Sequence, residues 1–176
     1  GLSGGTGTIP FMLGFGFLDG DVFAAKIFTL KELDWEEEML TAVGEFLAAR
    51  DFAATVTYNG RAFDFPLMES RAILTRCPFP LLARPHLDFL FPARLIWRHT
   101  YESRRLGYLG ERLLGLSRGD DIDGAEVPVL FNSYLRSGLF SLIEPVIEHN
   151  SLDLLGLAAL LLLAVRYLDD YSRTRD

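Results

Sequence analysis

Cysteine, positive charge and long apolar runs are all scarce in this sequence, and each shortage excludes something. The lone cysteine, Cys77, cannot form an internal disulfide in the 176 residues, which is typical of a reducing compartment such as the cytoplasm. The chain has 17 Lys and Arg against 24 Asp and Glu, for a formal net charge of −7. That balance argues against a generic basic coat for nucleic acid. It leaves room for an enzyme whose acidic site is neutralised by metal ions.

The most apolar run, Leu154 to Val165, has only 12 residues. A membrane-spanning helix needs ~20, so we interpret this run as a buried helix and expect no membrane partner. The glycine-rich stretch from Gly1 to Thr8 has neither the charged nor the apolar region of a signal peptide. It also lacks an initiator Met, so we expect the chain to begin inside a longer protein.

The composition is otherwise that of a folded domain, with 49% apolar and 23% charged residues. The length fits one domain over residues 1–176. Strand patterns come first and helical patterns follow, which predicts an α+β or α/β layered domain. The predicted strands are Ile9 to Leu18, Val22 to Leu30, Ala53 to Tyr58 and Pro85 to Asp88. The predicted helices are Asp34 to Ala49, Phe65 to Leu74, Phe91 to Arg98, Arg104 to Leu114, Val127 to Arg136, Leu139 to Ile147 and Ser151 to Tyr167.

The first candidate site follows the third predicted strand. A β-branched run leads through an Asn59-Gly60 turn to Asp64, where a helix begins. A carboxylate in that position is a common element of metal and phosphate sites. The residues alone leave a simpler interpretation open, because an Asp before a helix is usually an N-cap and Asn-Gly is usually a turn. Phe63 would then be an ordinary core residue.

The second candidate site contains His149 and Asp153, which lie on one face if the segment is helical. Asp153 is surrounded in the sequence by Leu, Ala and Gly, and a carboxylate on an apolar face is costly unless it is paired or bound to metal. Alternatively, the helix starts at Ser151 with Asp153 as a capping acid, and His149 is a structural or surface histidine. Asp88, at the end of the fourth predicted strand, is either an acid near the site or a turn residue.

Together these stretches resemble the DEDD-type 3′→5′ exonucleases of the ribonuclease-H-like superfamily. Thr57 to Asp64 is similar to their second motif, in which an Asn precedes an aromatic-Asp pair, and His149 to Asp153 is similar to their third. Within the superfamily the resemblance is to a predicted bacterial ribonuclease-H-like exonuclease family, and it covers nearly the whole chain. Further stretches that echo this family are Gly1 to Gly7, His86 to Trp97, Leu106 to Gly115 and His149 to Leu157.

The resemblance implies an α/β fold in which a ribonuclease-H-like mixed sheet is flanked by helices. The family's first motif, Asp-x-Glu, lies on the first, central strand, a few residues before the loop that starts this chain. We therefore expect an N-terminally truncated domain that lacks this strand and two of four metal-binding carboxylates, and that is inactive as an exonuclease without them. The sheet edge exposed in this way would invite pairing, so a homo-oligomer is a further expectation.

The function implied by the resemblance is metal-dependent hydrolysis of phosphodiester bonds at the end of single-stranded DNA or RNA. Four carboxylates would hold two Mg²⁺ or Mn²⁺ ions ~3.5–4 Å apart, and oxygen ligands suit these metals. Asp64 and Asp153 would be ligands, and His149 would orient or deprotonate the attacking water. The substrate-binding candidates are Leu2, Asn59 and Phe63, and the candidate acid behind the ligands is Asp88.

Two other interpretations stay open. One is a ribonuclease-H-like module that binds nucleic acid or a protein partner without cleaving it, which the absent first motif and the acidic charge favour. The other is an unrelated α/β domain in which Asp64 and Asp153 are both helix caps. Convergence of the two carboxylates across a cleft would favour nuclease ancestry.

Overall fold

A β-hairpin opens the computed structural model, which describes residues 8–116, 122, 124 and 126–173. Strand β1 is Met12–Asp19 and strand β2 is Val22–Thr29, and they pair antiparallel along their full length. The turn between them contains Gly20 in the left-handed conformation, with φ 61°, where glycine has no steric penalty. The two strands predicted over Ile9 to Leu18 and Val22 to Leu30 are therefore confirmed, and they form a hairpin.

The second sheet consists of two short parallel strands, β3 (Thr55–Thr57) and β4 (His86–Asp88). Helix α2, Asp64–Thr75, lies in the crossover between them, as parallel strands require. The sequence predicted one mixed sheet. In the described residues the antiparallel and parallel pairs instead form separate two-stranded sheets. Strand β1 pairs only with β2 and strand β3 only with β4, so among the described residues no strand joins the two sheets.

Six α-helices occur in the described part of the chain, and most begin and end within a few residues of the predicted bounds. Three short 3-10 turns accompany them. The helices besides α2 are α1 (Glu36–Ala48), α3 (Leu90–Ile96), α4 (Leu106–Leu114), α5 (Val127–Ser137) and α6 (Glu144–Arg173). The 3-10 turns are Leu33–Trp35, Pro80–Ala83 and Phe140–Leu142.

The C-terminal helix departs most from the prediction. Separate helices were predicted over Leu139 to Ile147 and Ser151 to Tyr167, but α6 runs unbroken for 30 residues. It begins at Glu144, and Pro145 follows in the first turn, where a fixed φ and a missing N–H do no harm. The start of this helix therefore lies well before Ser151.

Helix α6 is also less buried than its composition predicts. Gly156, Leu160 and Ala164 are buried and lie four residues apart, which makes one stripe along the helix. Leu162 and Leu168 are exposed. The prediction of a buried helix is thus correct for one face only. By length and apolar composition α6 could also cross a membrane, a criterion that the core helices of soluble proteins meet as well.

Three apolar clusters hold the elements together. The first joins the hairpin to α5 and the start of α6, the second joins α3, α4 and α6 to β3, and the third packs α1 against the hairpin. The largest fully buried side chains are Leu30, Val43, Phe89, Leu109, Phe131, Ile143 and Leu160. The second cluster positions the candidate site, because it places the end of β3 and the middle of α6 on the same core.

A buried ion pair connects the first two helices. Glu36, at the start of α1, is buried and accepts hydrogen bonds from both Nε and Nη2 of Arg71 on α2, with an Nε–Oε1 distance of 2.6 Å. This bidentate geometry matches the planar guanidinium to the carboxylate. The pair fixes α2, and hence Asp64 at its first residue, relative to α1.

Candidate functional site

Asp88 holds the loop that follows β3. It is only 7% exposed, and its carboxylate accepts backbone N–H bonds from Asn59 at 2.7 Å, Arg61 at 3.1 Å and Leu90 at 3.1 Å. The parallel register places Thr57, the last residue of β3, opposite Asp88. A buried carboxylate is costly unless it is hydrogen-bonded, and three donors meet that requirement. Asp88 is therefore a positioning acid, not merely a turn residue at a strand end.

Asn59 and Gly60 form the turn that their sequence predicts. Asn59 has φ 66°, a left-handed conformation in which Asn is enriched. A Cβ on Gly60 would lie 2.5 Å from Thr57 Oγ1, so the chain passes too close for any larger residue. The Phe65 N–H donates to the Gly60 carbonyl at 2.9 Å. The turn thus leads directly into α2.

Asp64 is the first residue of α2 and not its N-cap. The N-cap position belongs to Phe63, which makes no capping hydrogen bond and is 67% exposed. The interpretations of Asp64 as an N-cap and of Phe63 as a core residue are therefore both wrong. Asp64 reaches solvent on one side, yet neighbouring atoms desolvate its carboxyl and raise the pKa above its ordinary value. A hydrogen bond to its own backbone amide opposes this rise, and the Asp88 carboxylate adds to it.

His86 is a nearby residue that sequence reasoning did not assign to the site. Its ring stacks on Phe65 with centroids 3.8 Å apart and planes 7° apart, and its Nε2 lies 2.8 Å from Thr57 Oγ1. His86 therefore bridges β3, β4 and the first turn of α2. Its position two residues before Asp88 on a strand was the available signal, because alternate strand residues share a face.

His149 and Asp153 form the second half of the candidate site. His149 Nε2 lies 3.4 Å from Asp153 Oδ2, one helical turn away, and both side chains are half-buried. The predicted pairing on one helix face is confirmed. Because α6 begins at Glu144, Asp153 is far inside the helix. The alternative in which Asp153 caps a helix starting at Ser151 is wrong.

Close contact with β1 fixes this part of α6. A Cβ on Gly14 would overlap the side-chain oxygen of Asn150, so a larger residue would require the Asn150 side chain to rotate or α6 to move away. Asn150 Oδ1 is buried and has no hydrogen-bond partner in the described part of the chain. Asp153 follows three residues later, so this contact between β1 and α6 sets its position.

The two halves share a core without completing a ligand set. Val56 and Tyr58, which precede the Asn59 turn, belong to the same apolar cluster as Leu157, one turn beyond Asp153. The described residues contain no group of three or more His, Cys, Asp or Glu side chains that could hold a metal ion. Asp64 and Asp153 therefore supply at most part of such a set.

The chain does contain an Asp-x-Glu triplet, Asp34-Trp35-Glu36, but it lies at the start of α1 and Glu36 is paired with Arg71. It is not the strand motif that the resemblance implies. Leu2 lies outside the described residues, as do Asp120, Asp121 and Asp123 of the segment between α4 and α5.

A groove of about 490 Å³ lies beside the Asn59 turn. Tyr58 forms part of its wall and donates its hydroxyl hydrogen bond to the Arg104 carbonyl. The pKa of Tyr58 is raised to about 12, chiefly because the hydroxyl is desolvated by burial; Arg94 and Arg104 oppose the rise and Asp88 adds to it. The groove is lined by Tyr58, Asn59, Leu90, Arg94, Glu102, Ser103, Arg104, Arg105 and Leu106. Sequence reasoning missed it, although the density of arginines after residue 93 was a usable signal.

Comparison with known proteins agrees with this architecture. A model of the RNase H superfamily matches residues 1–165. The uncharacterized protein YprB of Bacillus subtilis (strain 168) is 33% identical over 161 residues, which cover 91% of this chain and 38% of YprB. The chain thus spans well under half the length of that relative. No solved structure gave a significant match.

Proposed function

The chain belongs to the RNase H superfamily, and from that premise we propose that it is a metal-dependent nuclease domain that hydrolyses phosphodiester bonds in nucleic acid. In its specific form the proposal is a cytoplasmic DEDD-type 3′→5′ exonuclease acting on a single-stranded DNA or RNA end. One observation supports it above all others. The Asn59 turn presents Asp64 outside any capping role, while α6 presents the His149–Asp153 pair from the same core.

Asp64 and Asp153 are suitable in kind for divalent metal ions. Both provide carboxylate oxygens, which Mg²⁺ and Mn²⁺ prefer. Desolvation and the nearby Asp88 carboxylate raise the pKa of Asp64 by more than its backbone hydrogen bond and His86 lower it, so a bound cation would stabilise the negative charge. The missing ligands would come from an Asp-x-Glu strand that the described residues do not include. Placed between β1 and β3, such a strand would also join the two small sheets into one mixed sheet.

The other catalytic and substrate-binding roles in the proposed reaction fall to residues of this chain. When bound, two divalent ions would activate a water molecule and stabilise the leaving oxygen. His149, held by Asp153, would orient the attacking water or take its proton. The exposed ring of Phe63, beside Asp64, is available to stack on a base. Asn59 fixes the turn at the mouth of the groove, and Leu2 would pack against the terminal base.

Substitution of the two carboxylates tests the proposal. With 5′-labelled single-stranded DNA and RNA oligonucleotides, a longer wild-type chain that includes the proposed Asp-x-Glu strand should shorten the strand from its 3′ end only when Mg²⁺ or Mn²⁺ is present. Asp64→Asn and Asp153→Asn should each reduce that rate by more than the ~10–100-fold typical of residues that only support metal ligands. Asp19→Asn, on the exposed end of the hairpin, removes the same charge and should leave the rate unchanged.

The outcomes of this assay separate the parts of the proposal. Cleavage at internal positions would reject the exonuclease assignment and retain the nuclease. No cleavage with either metal would reject the nuclease itself. Full activity in Asp64→Asn would remove Asp64 from the site.

A non-catalytic module that binds nucleic acid or a protein partner is the second candidate. The observation that favours it is the lack of three clustered metal ligands among the described residues. Isothermal titration with Mn²⁺ of a longer chain that includes the proposed Asp-x-Glu strand discriminates between the two functions. Binding of two ions that Asp64→Asn abolishes supports the nuclease, whereas no detectable ion binding supports the module.

A further inference from the structure

We propose that the groove beside the Asn59 turn carries the phosphodiester backbone of a single-stranded nucleic acid, with Arg94, Arg104 and Arg105 as its phosphate contacts. The inference rests on the proposed nucleic-acid substrate and deepens it, because it states where the strand lies relative to the carboxylates. Three guanidinium groups on one groove provide the planar donors that bind phosphate well.

The charge around the groove runs against the charge of the molecule. The residues that line the groove include three arginines and one glutamate, whereas the whole chain has a formal net charge of −7. Positive charge concentrated on one surface of an acidic protein attracts a polyanion to that surface and not to others. The region thus differs from the generic basic coat that the overall composition excludes.

The arginines are available for a ligand. Arg94 and Arg105 are exposed, and neither forms an ion pair or a side-chain hydrogen bond within the described residues. Arg104 is held in place, because its Nη1 donates to the Tyr101 carbonyl and its own carbonyl accepts from Tyr58. Two free guanidinium groups therefore flank one that is already oriented. Glu102 is the one carboxylate on the groove, so it would direct the backbone towards the arginine side.

The N-terminus of α4 adds to the positive potential at the same place. Arg105 is the N-cap residue and makes no side-chain capping hydrogen bond, and Leu106, the first residue of α4, lines the groove. The first amide groups of a helix lack partners within it and favour an anion. The helix N-terminus therefore adds support to the phosphate-binding assignment, for which the three arginines are the main evidence.

The groove leads towards the candidate catalytic residues. Asn59 lines it, and the Asn59 amide is bonded to Asp88, whose carboxylate acts electrostatically on Asp64. The volume of about 490 Å³ lies within the ~300–1,000 Å³ usual for ligand sites. A strand lying along the arginines would therefore bring one end to Asp64.

Fluorescence anisotropy with labelled oligothymidylate and oligouridylate, in EDTA so that cleavage cannot occur, tests the groove directly. Arg94→Gln combined with Arg105→Gln should raise the Kd at low salt about tenfold, and should lower the slope of log K against log salt by about 1.4, since each phosphate contact on a single strand contributes ~0.7. The matched control, Arg136→Gln with Arg166→Gln, loses the same charge on exposed helix positions away from the groove and should change the Kd less than about twofold.

Each result decides the question. Equal weakening in the groove variant and the control would show that only net charge matters and would overturn the proposal, as would a wild-type protein that binds neither oligonucleotide. Arg94→Lys with Arg105→Lys keeps the charge and should recover most of the binding. If the groove variant alone loses binding and the wild-type protein does not cleave nucleic acid, the groove proposal stands and the nuclease proposal is rejected. If the groove variant binds as well as the wild type and the wild-type protein does cleave, the nuclease proposal stands and the groove proposal is rejected.

Discussion

Asp88 and Asp64 belong to the same half of the candidate site, yet the protein surrounds their charges differently. Asp88 is buried and receives three backbone N–H groups. Asp64 has no capping role, and its carboxyl pKa is raised by desolvation. At the residue scale, the first acid therefore maintains the loop, while the second has a charge that the described residues leave under-compensated. The two should respond in opposite ways to loss of that charge.

Asp88→Asn should destabilise the protein. The amide keeps one oxygen acceptor but turns an NH₂ group towards a backbone N–H, so at least one of the bonds to Asn59, Arg61 or Leu90 is lost in a buried place. We expect the free energy of unfolding to fall by about 2 kcal/mol, measured by urea denaturation. The exposed control Asp19→Asn should change it by less than about 0.5 kcal/mol. An equally small effect for Asp88→Asn would show that the carboxylate does not hold the loop.

Asp64→Asn should leave the metal-free protein as stable as the wild type at pH 7, or more stable. The Asp64 pKa in the folded state is raised above its ordinary value of 3.8. At pH values between 3.8 and the folded-state pKa, the folded protein therefore binds more protons than the unfolded chain. The contribution of this group to stability therefore rises as pH falls through that window, and above it the carboxylate lowers stability. The Asn variant should lose its relative advantage as the solution is acidified.

Calorimetric Tm values across pH in EDTA measure this difference. Asp19→Asn serves again as the exposed comparison and should show no such trend. An Asp64→Asn variant clearly less stable than the wild type at pH 7 would contradict the assignment of Asp64 as an under-compensated acid.

At the scale of elements, α6 shows why local patterns have limits. The polar triplet His149-Asn150-Ser151 resembles a break between two helices, but α6 continues through it. Continuation is favoured by packing, because residues on either side of the triplet contact the hairpin and the α3–α4 cluster. Short-range sequence could predict the hairpin and the helix positions. It could not predict this continuity, which depends on residues distant in the chain.

Gly14→Ala tests the packing that positions α6. The new Cβ would overlap Asn150 Oδ1, so the Asn150 side chain, α6 or the hairpin must shift, at a cost of about 1–3 kcal/mol in the free energy of unfolding. Gly124→Ala, which adds its Cβ in open space, is the control for the change of residue type. Combining Gly14→Ala with Asn150→Ala should recover part of the loss in a double-mutant cycle. If the two effects simply add, the contact does not determine the fit of α6.

At the scale of the whole molecule, the sequence could predict where the candidate residues lie on their elements better than how those elements are connected. Asp64, His149 and Asp153 were recognisable as candidates because each lies in a short motif whose spacing local structure preserves. The arginine groove was not, since it forms where the loop before α4 lies against α3 and the Asn59 turn. The division into two sheets was also not predicted, because strand pairing depends on which other strands lie alongside, and those come from distant parts of the chain.

If α6 tilts about its contact between Gly14 and Asn150, positions along the helix move in proportion to their distance from that contact. At 1.5 Å per residue, Asp153 lies about 4.5 Å along the helix from that fulcrum, and exposed Leu168 lies about 27 Å away on the same side. A tilt that displaces the distal end moves Asp153 about sixfold less. A partner that displaces the outer end of α6 would therefore move Asp153 only slightly. The candidate site is in this way little affected by contacts at the far end of the helix.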